Sequence, residues 1–359
     1  MHAMPATSNR PPATAPPTAA PLAPPAADPF AWVARTPFFQ AGLAGYSDAA
    51  MRLIARRHGC PYCITEAMLD RFLVNGGKGL KNAELRDDDH PIAGQLMGSH
   101  PADIAAGAKV LVSLGYDVID INLACPVKKI RKKCRGGHLL SAPNEAIAIL
   151  HAVRDAVGDD RPLTVKLRRA YAPTPAAEAD FDRIMQAVID AGYAAATVHG
   201  RTVEQKYDGP STWPKLADIV RRFGRATATG AADRFRIFGS GDVFSPRAIF
   251  QMIEQTGVDA VSVARGCIGD PWIFEQARAL MRREAIAGPT LAQQREVLAE
   301  HFRLSVDLHG ERTAGRLMRK FGIKFSRHHP QAVAVRQAFI RVQTLDAWQA
   351  VLAEFYAQG

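Results

Sequence analysis

The chain has 359 residues, room for one large α/β domain and a smaller companion, since about 250 residues close around a single barrel core. Its 45 Lys+Arg against 35 Asp+Glu give a formal charge of +10, which suits a polyanionic partner or simply a well-solvated basic surface. Five scattered cysteines exclude a disulfide framework, and no apolar run is long enough to span a membrane or serve as a signal peptide, so a soluble protein of the reducing cytoplasm is expected.

Residues 1–35 alternate proline and alanine, with almost no large apolar side chain before Phe30. Such a segment buries too little surface to offset its ordering entropy and reads as a disordered tail. From Phe38 onward, eight short apolar runs recur: FFQAGL, CITEAM, PIAGQLM, VIDINLA, LTVKLR, AATVHG, RIFGSG and AVSVAR. Helical stretches such as SDAAMRLIARRHG and NEAIAILHAVRDAVG separate them. Buried strands alternating with helices specify an all-parallel sheet, and eight such units specify a (β/α)8 TIM barrel over residues 36–285. Chemistry in that fold gathers at the C-terminal ends of the strands. Asn122, Cys125, Lys166, Arg168, His199, Arg201, Asp242 and Arg265 all fall there. Residues 286–359 carry apolar side chains at three-to-four spacing and read as a small helical domain.

The first candidate along the chain is a decoy. Cys60 and Cys63 in CPYC have dithiol spacing, but they follow a helix end and open a strand, the reverse of the order that lowers a thiol pKa. They also lack a second pair of metal ligands, and no metal is expected. The stretch DINLACP is stronger. An isolated cysteine is commonly a small buried hydrophobe, whereas Cys125 follows a barrel strand in a loop. An ordinary thiol titrates near about 8.5, so it is mostly protonated at neutral pH and suits a proton donor better than a nucleophile. The following KKIRKKCR places Lys128, Lys129, Arg131 and Lys132 beside that loop. A small anion needs one or two cations; this many suit a phosphodiester chain.

Lys166 and Arg168, two apart in VKLRR, share a face that points into the barrel. No Asp or Glu is adjacent in sequence, so an anion such as a reduced flavin is expected to answer their charge. His199 in VHGRT is a weaker candidate by itself, since a satisfied core histidine is the commoner case. GSGD (Gly239 to Asp242) and ARG (Ala264 to Gly266) end the last two strands, where barrels bind phosphate through loop amides. Neither a GxGxxG fingerprint nor a GxxxxGK[ST] loop occurs, which excludes Rossmann and P-loop readings. In the C-terminal part, RLMRKFGIKFSRHH interleaves Arg319, Lys320 and Lys324 with phenylalanines, either a solvated helix over two core rings or a phosphate-contacting face.

Taken in order, AGLAGYSD, GQLMGS, DINLACPVKKI, GGHLLS, VKLR, HGRTVEQKYDGPSTW, GSGD and ARGCIGDPWIF resemble the tRNA-dihydrouridine synthases, FMN-dependent enzymes that reduce a uridine in tRNA. The resemblance implies that FMN lies at the barrel mouth among Gly42, Leu43, Ala44, Gln95, Lys166, His199, Ser240, Gly241, Asp242, Ala264 and Arg265. NADPH would reduce the flavin, a hydride would pass to uracil C6, and Cys125 would protonate C5. Asn122 and Arg168 would orient the flavin or the uracil, Arg201 would contact the substrate, and the basic loop with Arg319, Lys320 and Lys324 would hold the RNA. A monomer is expected. The chain departs from the family where it has AGL for APM, SGD for NGD and ARG for GRG, but backbone amides remain at all three places. Two rivals are an FMN barrel like dihydroorotate dehydrogenase, which needs neither the basic run nor the C-terminal domain, and an RNA-binding protein whose barrel has lost its chemistry.

Overall fold

The computed structural model describes residues 30–77, 80, 83–127, 135–224 and 235–357. Residues 1–29 of the tail, the basic loop with Lys128, Lys129, Arg131 and Lys132, and residues 225–234 before the seventh unit lie outside the described residues.

Among the described residues nine parallel strands form one sheet: β1 Phe38–Gln40, β2 Cys63–Ile64, β3 Met68–Leu69, β4 Ile92–Met97, β5 Val118–Leu123, β6 Leu163–Arg168, β7 Ala195–His199, β8 Arg236–Ser240 and β9 Ala260–Val263. β1 pairs with both β2 and β9, and β2 pairs with β4, so eight strands close a (β/α)8 TIM barrel. The ninth corrects the expected single strand CITEAM. The chain leaves the ladder after Ile64, and the Glu66 carboxylate turns aside to accept from the Gly45 amide (2.6 Å) before Met68–Leu69 rejoins along the end of β4.

Helices cover the barrel: α1 Ala49–Arg57, α2 Asp70–Val74, α3 Pro101–Ser113, α4 Pro143–Val157, α5 Pro175–Asp190, α6 Trp213–Phe223, α7 Pro246–Thr256 and α8 Trp272–Met281. Proline in the first turn opens five of them, where its missing N–H costs nothing. Asp48, Thr174 and Ser245 cap α1, α5 and α7 by accepting from the first-turn amides. Four further helices follow: α9 Leu291–His309, α10 Glu311–Phe325, α11 Ala332–Arg341 and α12 Leu345–Phe355. They bury Phe302, Phe321, Phe339 and Trp348 together and dock α9 on the α1 side of the barrel, where His309 Nε2 meets Asp48 Oδ2 at 2.9 Å.

The tail expected at 1–35 is ordered in its last six residues. Phe30 is buried and Ala31–Ala34 forms a 3-10 turn beneath the barrel. Trp32 stacks on Tyr62 (5.2 Å, 18°), and Phe30 packs against Phe238 (5.8 Å). Low apolar content fails as a guide where two aromatic rings find a hydrophobic floor, since each ring buries a large area by itself.

Candidate active site

Strand alternation turns Gln95, Asp120, Asn122, Thr164, Lys166, Arg168, Thr197, His199 and Ser240 inward above the aromatic floor, in a register that sets Asp120 opposite Thr164 and Asn122 opposite Lys166. Asp120 is the anchor of the lower polar layer. Its Oδ1 accepts from Thr164 Oγ1 (2.6 Å) and its Oδ2 from Gln95 Nε2 (2.7 Å). Burial pushes its carboxyl up, and the two hydrogen bonds and Lys166 draw it back. Lys166 shows the reverse, lowered by burial and partly restored by Asp120. The expectation that no carboxylate answers Lys166 is therefore corrected: Asp120 answers it from the neighbouring strand.

The cysteine loop is fixed by three separate elements. Asn122 Nδ2 donates to Gln95 Oε1 (2.7 Å), while its Oδ1 accepts from the amides of Ala124 (3.0 Å) and Cys125 (3.1 Å). The Cys125 carbonyl accepts from Gly137 N (3.0 Å), and a Cβ on Gly137 would stand 3.0 Å from that carbonyl and 2.9 Å from Val203. Arg168 Nε donates to the Ala124 carbonyl (3.0 Å), and its Nη1 reaches the carbonyls of Thr202 (2.9 Å) and Lys206 (2.5 Å). Arg168 thus ties the loop after β5 to the loop after β7. Burial lowers its guanidinium to about 10, which leaves it charged at neutral pH. The Cys125 thiol is half-buried at this mouth.

His199 stands opposite Arg168 and Ser240 in register. Its Nδ1 accepts from Arg201 N (3.2 Å), so the neutral ring carries its proton on Nε2. Burial and then Arg168, Lys166, Arg201 and Arg265 hold its pKa well below the usual histidine range. The ring is a fixed neutral donor.

Asp242 has φ 58, a left-handed conformation uncommon outside glycine, and its side chain explains why the chain holds it. Oδ2 accepts from Arg201 Nη2 (2.7 Å) and Ser211 N (2.7 Å), and Oδ1 from Arg265 Nη2 (3.3 Å). Arg201 Nε also donates to Gly209 O (2.9 Å). Asp242 and Arg201 therefore knit the HGRTVEQKYDG loop to the end of β8. Arg265 then lies over the rings of Tyr207 (5.0 Å) and Phe244 (5.3 Å), both about half exposed on the rim. Neither aromatic was singled out from sequence; a ring flanked by strand-end arginines is the pattern that marks them.

Two observations fit a planar anionic cofactor here. At Gly42 a Cβ would stand 2.2 Å from the Thr65 carbonyl and 3.4 Å from Gln95 Oε1, so only glycine lets the backbone come this close. Ser240 Oγ donates to the Ser262 carbonyl (3.3 Å), whereas the Ser262 hydroxyl is buried without a hydrogen-bond partner. Together with the lysine, this donor-rich mouth can hold a flavin.

In the helical part, Arg319 and Lys324 are exposed on α10, and Lys320 turns toward the loop between β1 and α1, its Nζ 4.6 Å from the Tyr46 ring. Cys60 and Cys63 are both buried, their sulfurs 3.9 Å apart and away from the start of any helix. No cluster able to hold a metal occurs among the described residues, and no helix there is long and apolar enough to cross a membrane.

The family model for dihydrouridine synthase matches residues 39–357. A tRNA-dihydrouridine synthase B of Xanthomonas axonopodis pv. citri is 31% identical over 318 residues, covering 88% of this chain and 91% of that protein. One of Pseudomonas aeruginosa is 32% identical, covering 89% and 92%. A probable tRNA-dihydrouridine synthase of Treponema pallidum is 33% identical, covering 80% and 84%.

Proposed function

Because the chain belongs to the dihydrouridine synthase family, we propose that it reduces the C5=C6 bond of a uridine in tRNA, with FMN at the barrel mouth and NADPH as the reductant. The observation that carries this reading is the Cys125 loop, locked by Asn122, Gly137 and Arg168 beside the donor-rich floor. When bound, FMN supplies the hydride for uracil C6. Cys125 holds the proton that C5 needs, and its loop keeps the thiol at a fixed approach to the base. Lys166 and the His199 Nε2–H would hold the electron-rich part of a bound flavin, and a neutral His199 would give a hydrogen bond without adding a second charge. Gly42 to Ala44, Gln95, Ser240, Gly241, Ala264 and Arg265 line the same mouth, with Asp242 and Arg201 bracing the rim from behind.

A uracil inside an RNA stack cannot reach a barrel mouth, so the target nucleotide must leave the stack. The basic loop with Lys128, Lys129, Arg131 and Lys132 and the helical unit from about 286 sustain that extrusion by contacting phosphates. Arg312, Arg316 and Arg319 recur at four and three residues on α10 and form one exposed stripe. The protein works as a monomer in the cytoplasm. The test is incubation of unmodified tRNA with purified protein, FMN and NADPH, followed by nuclease digestion and mass analysis. Gain of two hydrogens on a uridine, dependent on protein and NADPH, supports the proposal; unchanged RNA with flavin bound and reduced overturns it.

A further inference from the structure

We infer that Lys320 is a positioning residue through which the helical unit holds the β1–α1 loop against the flavin site, and that it is not a phosphate contact. The inference rests on the FMN and tRNA reading above. The loop Gly42 to Ser47 joins β1 to α1 and carries Gly42, where a Cβ would stand 3.4 Å from Gln95 Oε1 at the mouth. It is tied within itself by Leu43 N donating to Ser47 Oγ (2.8 Å), and to the β2–β3 connection by Gly45 N donating to Glu66 Oε2 (2.6 Å). Gly45 has φ +74, and a Cβ there would stand 3.8 Å from Lys320 Nζ, so the ammonium lies directly over the turn.

Lys320 Nζ is 4.6 Å from the centre of the Tyr46 ring and 5.5 Å from that of Phe321, and these two rings meet edge to face at 5.5 Å and 86°. A desolvated cation over an aromatic face is held by the ring quadrupole. Asp48, Glu66 and His301 are the charged and titratable groups that face it from α1, the β2–β3 connection and α9. Burial lowers the Lys320 pKa, and the two carboxylates raise it back. Its helix neighbours Arg316 and Arg319 stay exposed. Those residues are free for phosphate, whereas Lys320 is already engaged. Its removal should let the Gly45–Tyr46 turn move, and Gly42, three residues earlier, would carry the displacement into the mouth.

The experiment titrates FMN against apoprotein by fluorescence quenching and, separately, measures tRNA affinity as a function of salt for wild type, Lys320→Met, Lys320→Arg and Tyr46→Leu. Lys320→Met is expected to weaken FMN binding about tenfold while tRNA affinity and its salt slope stay those of wild type. Lys320→Arg should restore most of the flavin affinity, and Tyr46→Leu should reproduce the loss without removing a charge. A salt slope lower by about one with FMN affinity unchanged would make Lys320 a phosphate contact and overturn the inference. Unchanged values in both titrations would overturn it as well. If Lys320→Met fails to fold, Lys320→Arg and Tyr46→Leu still decide. Wild-type protein that takes up no FMN would overturn the functional reading itself, and the inference with it.

Discussion

The two ends of the barrel use the same strands for opposite purposes. At the N-terminal end, Phe30, Trp32, Phe39, Tyr62 and Phe238 fill the interior with rings, Phe39 meeting Phe238 at 5.3 Å and Tyr62 at 5.5 Å. At the C-terminal end the same alternation turns Gln95, Asp120, Asn122, Lys166, Arg168 and His199 inward, where charges survive only through specific partners. The lower end stabilises the fold by area, which tolerates many sequences. The upper end loses stability to burial and gains a fixed set of donors, which only a narrow set of residues can supply.

Breaking one end should therefore leave the signature of the other. The largest effect is expected from Cys125→Ala: dihydrouridine formation should fall by about 10²–10⁴, while flavin uptake and melting temperature stay those of wild type. Turnover within a fewfold of wild type would remove the thiol from proton transfer. At the opposite end, Phe238→Ala should cost about 3–5 kcal/mol in urea unfolding and leave the flavin affinity of the folded protein unchanged. Weakened flavin binding by the folded fraction would show that the two ends are not separable.

Asp120→Asn sharpens the contrast within the upper end. The amide keeps an acceptor for Thr164 but turns a donor toward Gln95 Nε2 and removes the charge that answers Lys166, so a loss of about 2–3 kcal/mol is expected in the same unfolding assay. A variant as stable as wild type would mean that Lys166 is answered elsewhere.

Acid provides a milder test, at the seam between barrel and helical unit. His301 is buried against Phe321 (4.4 Å) with neither ring nitrogen hydrogen-bonded, and burial holds it down at about 4. The unfolded chain takes up this proton near 6.5, so the stabilising contribution is present above that pH and is lost as pH falls from 6.5 toward 4. The depressed His199 acts in the same direction. Asp270, raised to about 6 by burial, acts in the opposite one, because the folded protein binds its proton more readily. Wild type should lose about 1–2 kcal/mol between pH 7 and 5 through His301, and His301→Leu should flatten that slope. An equally steep slope in the variant would place the acid sensitivity elsewhere.

These contrasts also explain what could be read from the sequence. The strands were legible because buried parallel strands are continuous apolar runs, and the place of Cys125 in the loop after β5 was legible because that run ends before it. The influence of the Asp120 charge on Lys166 was not, since the two stand on neighbouring strands and register is a property of the closed barrel. For the same reason the partners of the Asp242 carboxylate, Arg201, Ser211 and Arg265, could not be read from the sequence. The Phe30–Arg35 segment was misread because a proline-rich composition hides two aromatic residues whose floor is built by residues far along the chain. Lys320 shares its basic sequence setting with Arg319, and its packing on Tyr46, which sets it apart, could not be read there.

The central claim is that electrons leave a flavin at this mouth for a uridine of tRNA. It is tested most directly by reducing the FMN-loaded protein with one equivalent of NADPH under anaerobic conditions, then adding unmodified tRNA and following the visible absorption of the flavin. Return of the oxidised spectrum upon RNA addition, with one dihydrouridine formed per flavin reoxidised, is the predicted result. A flavin that stays reduced while the tRNA is bound would contradict the account.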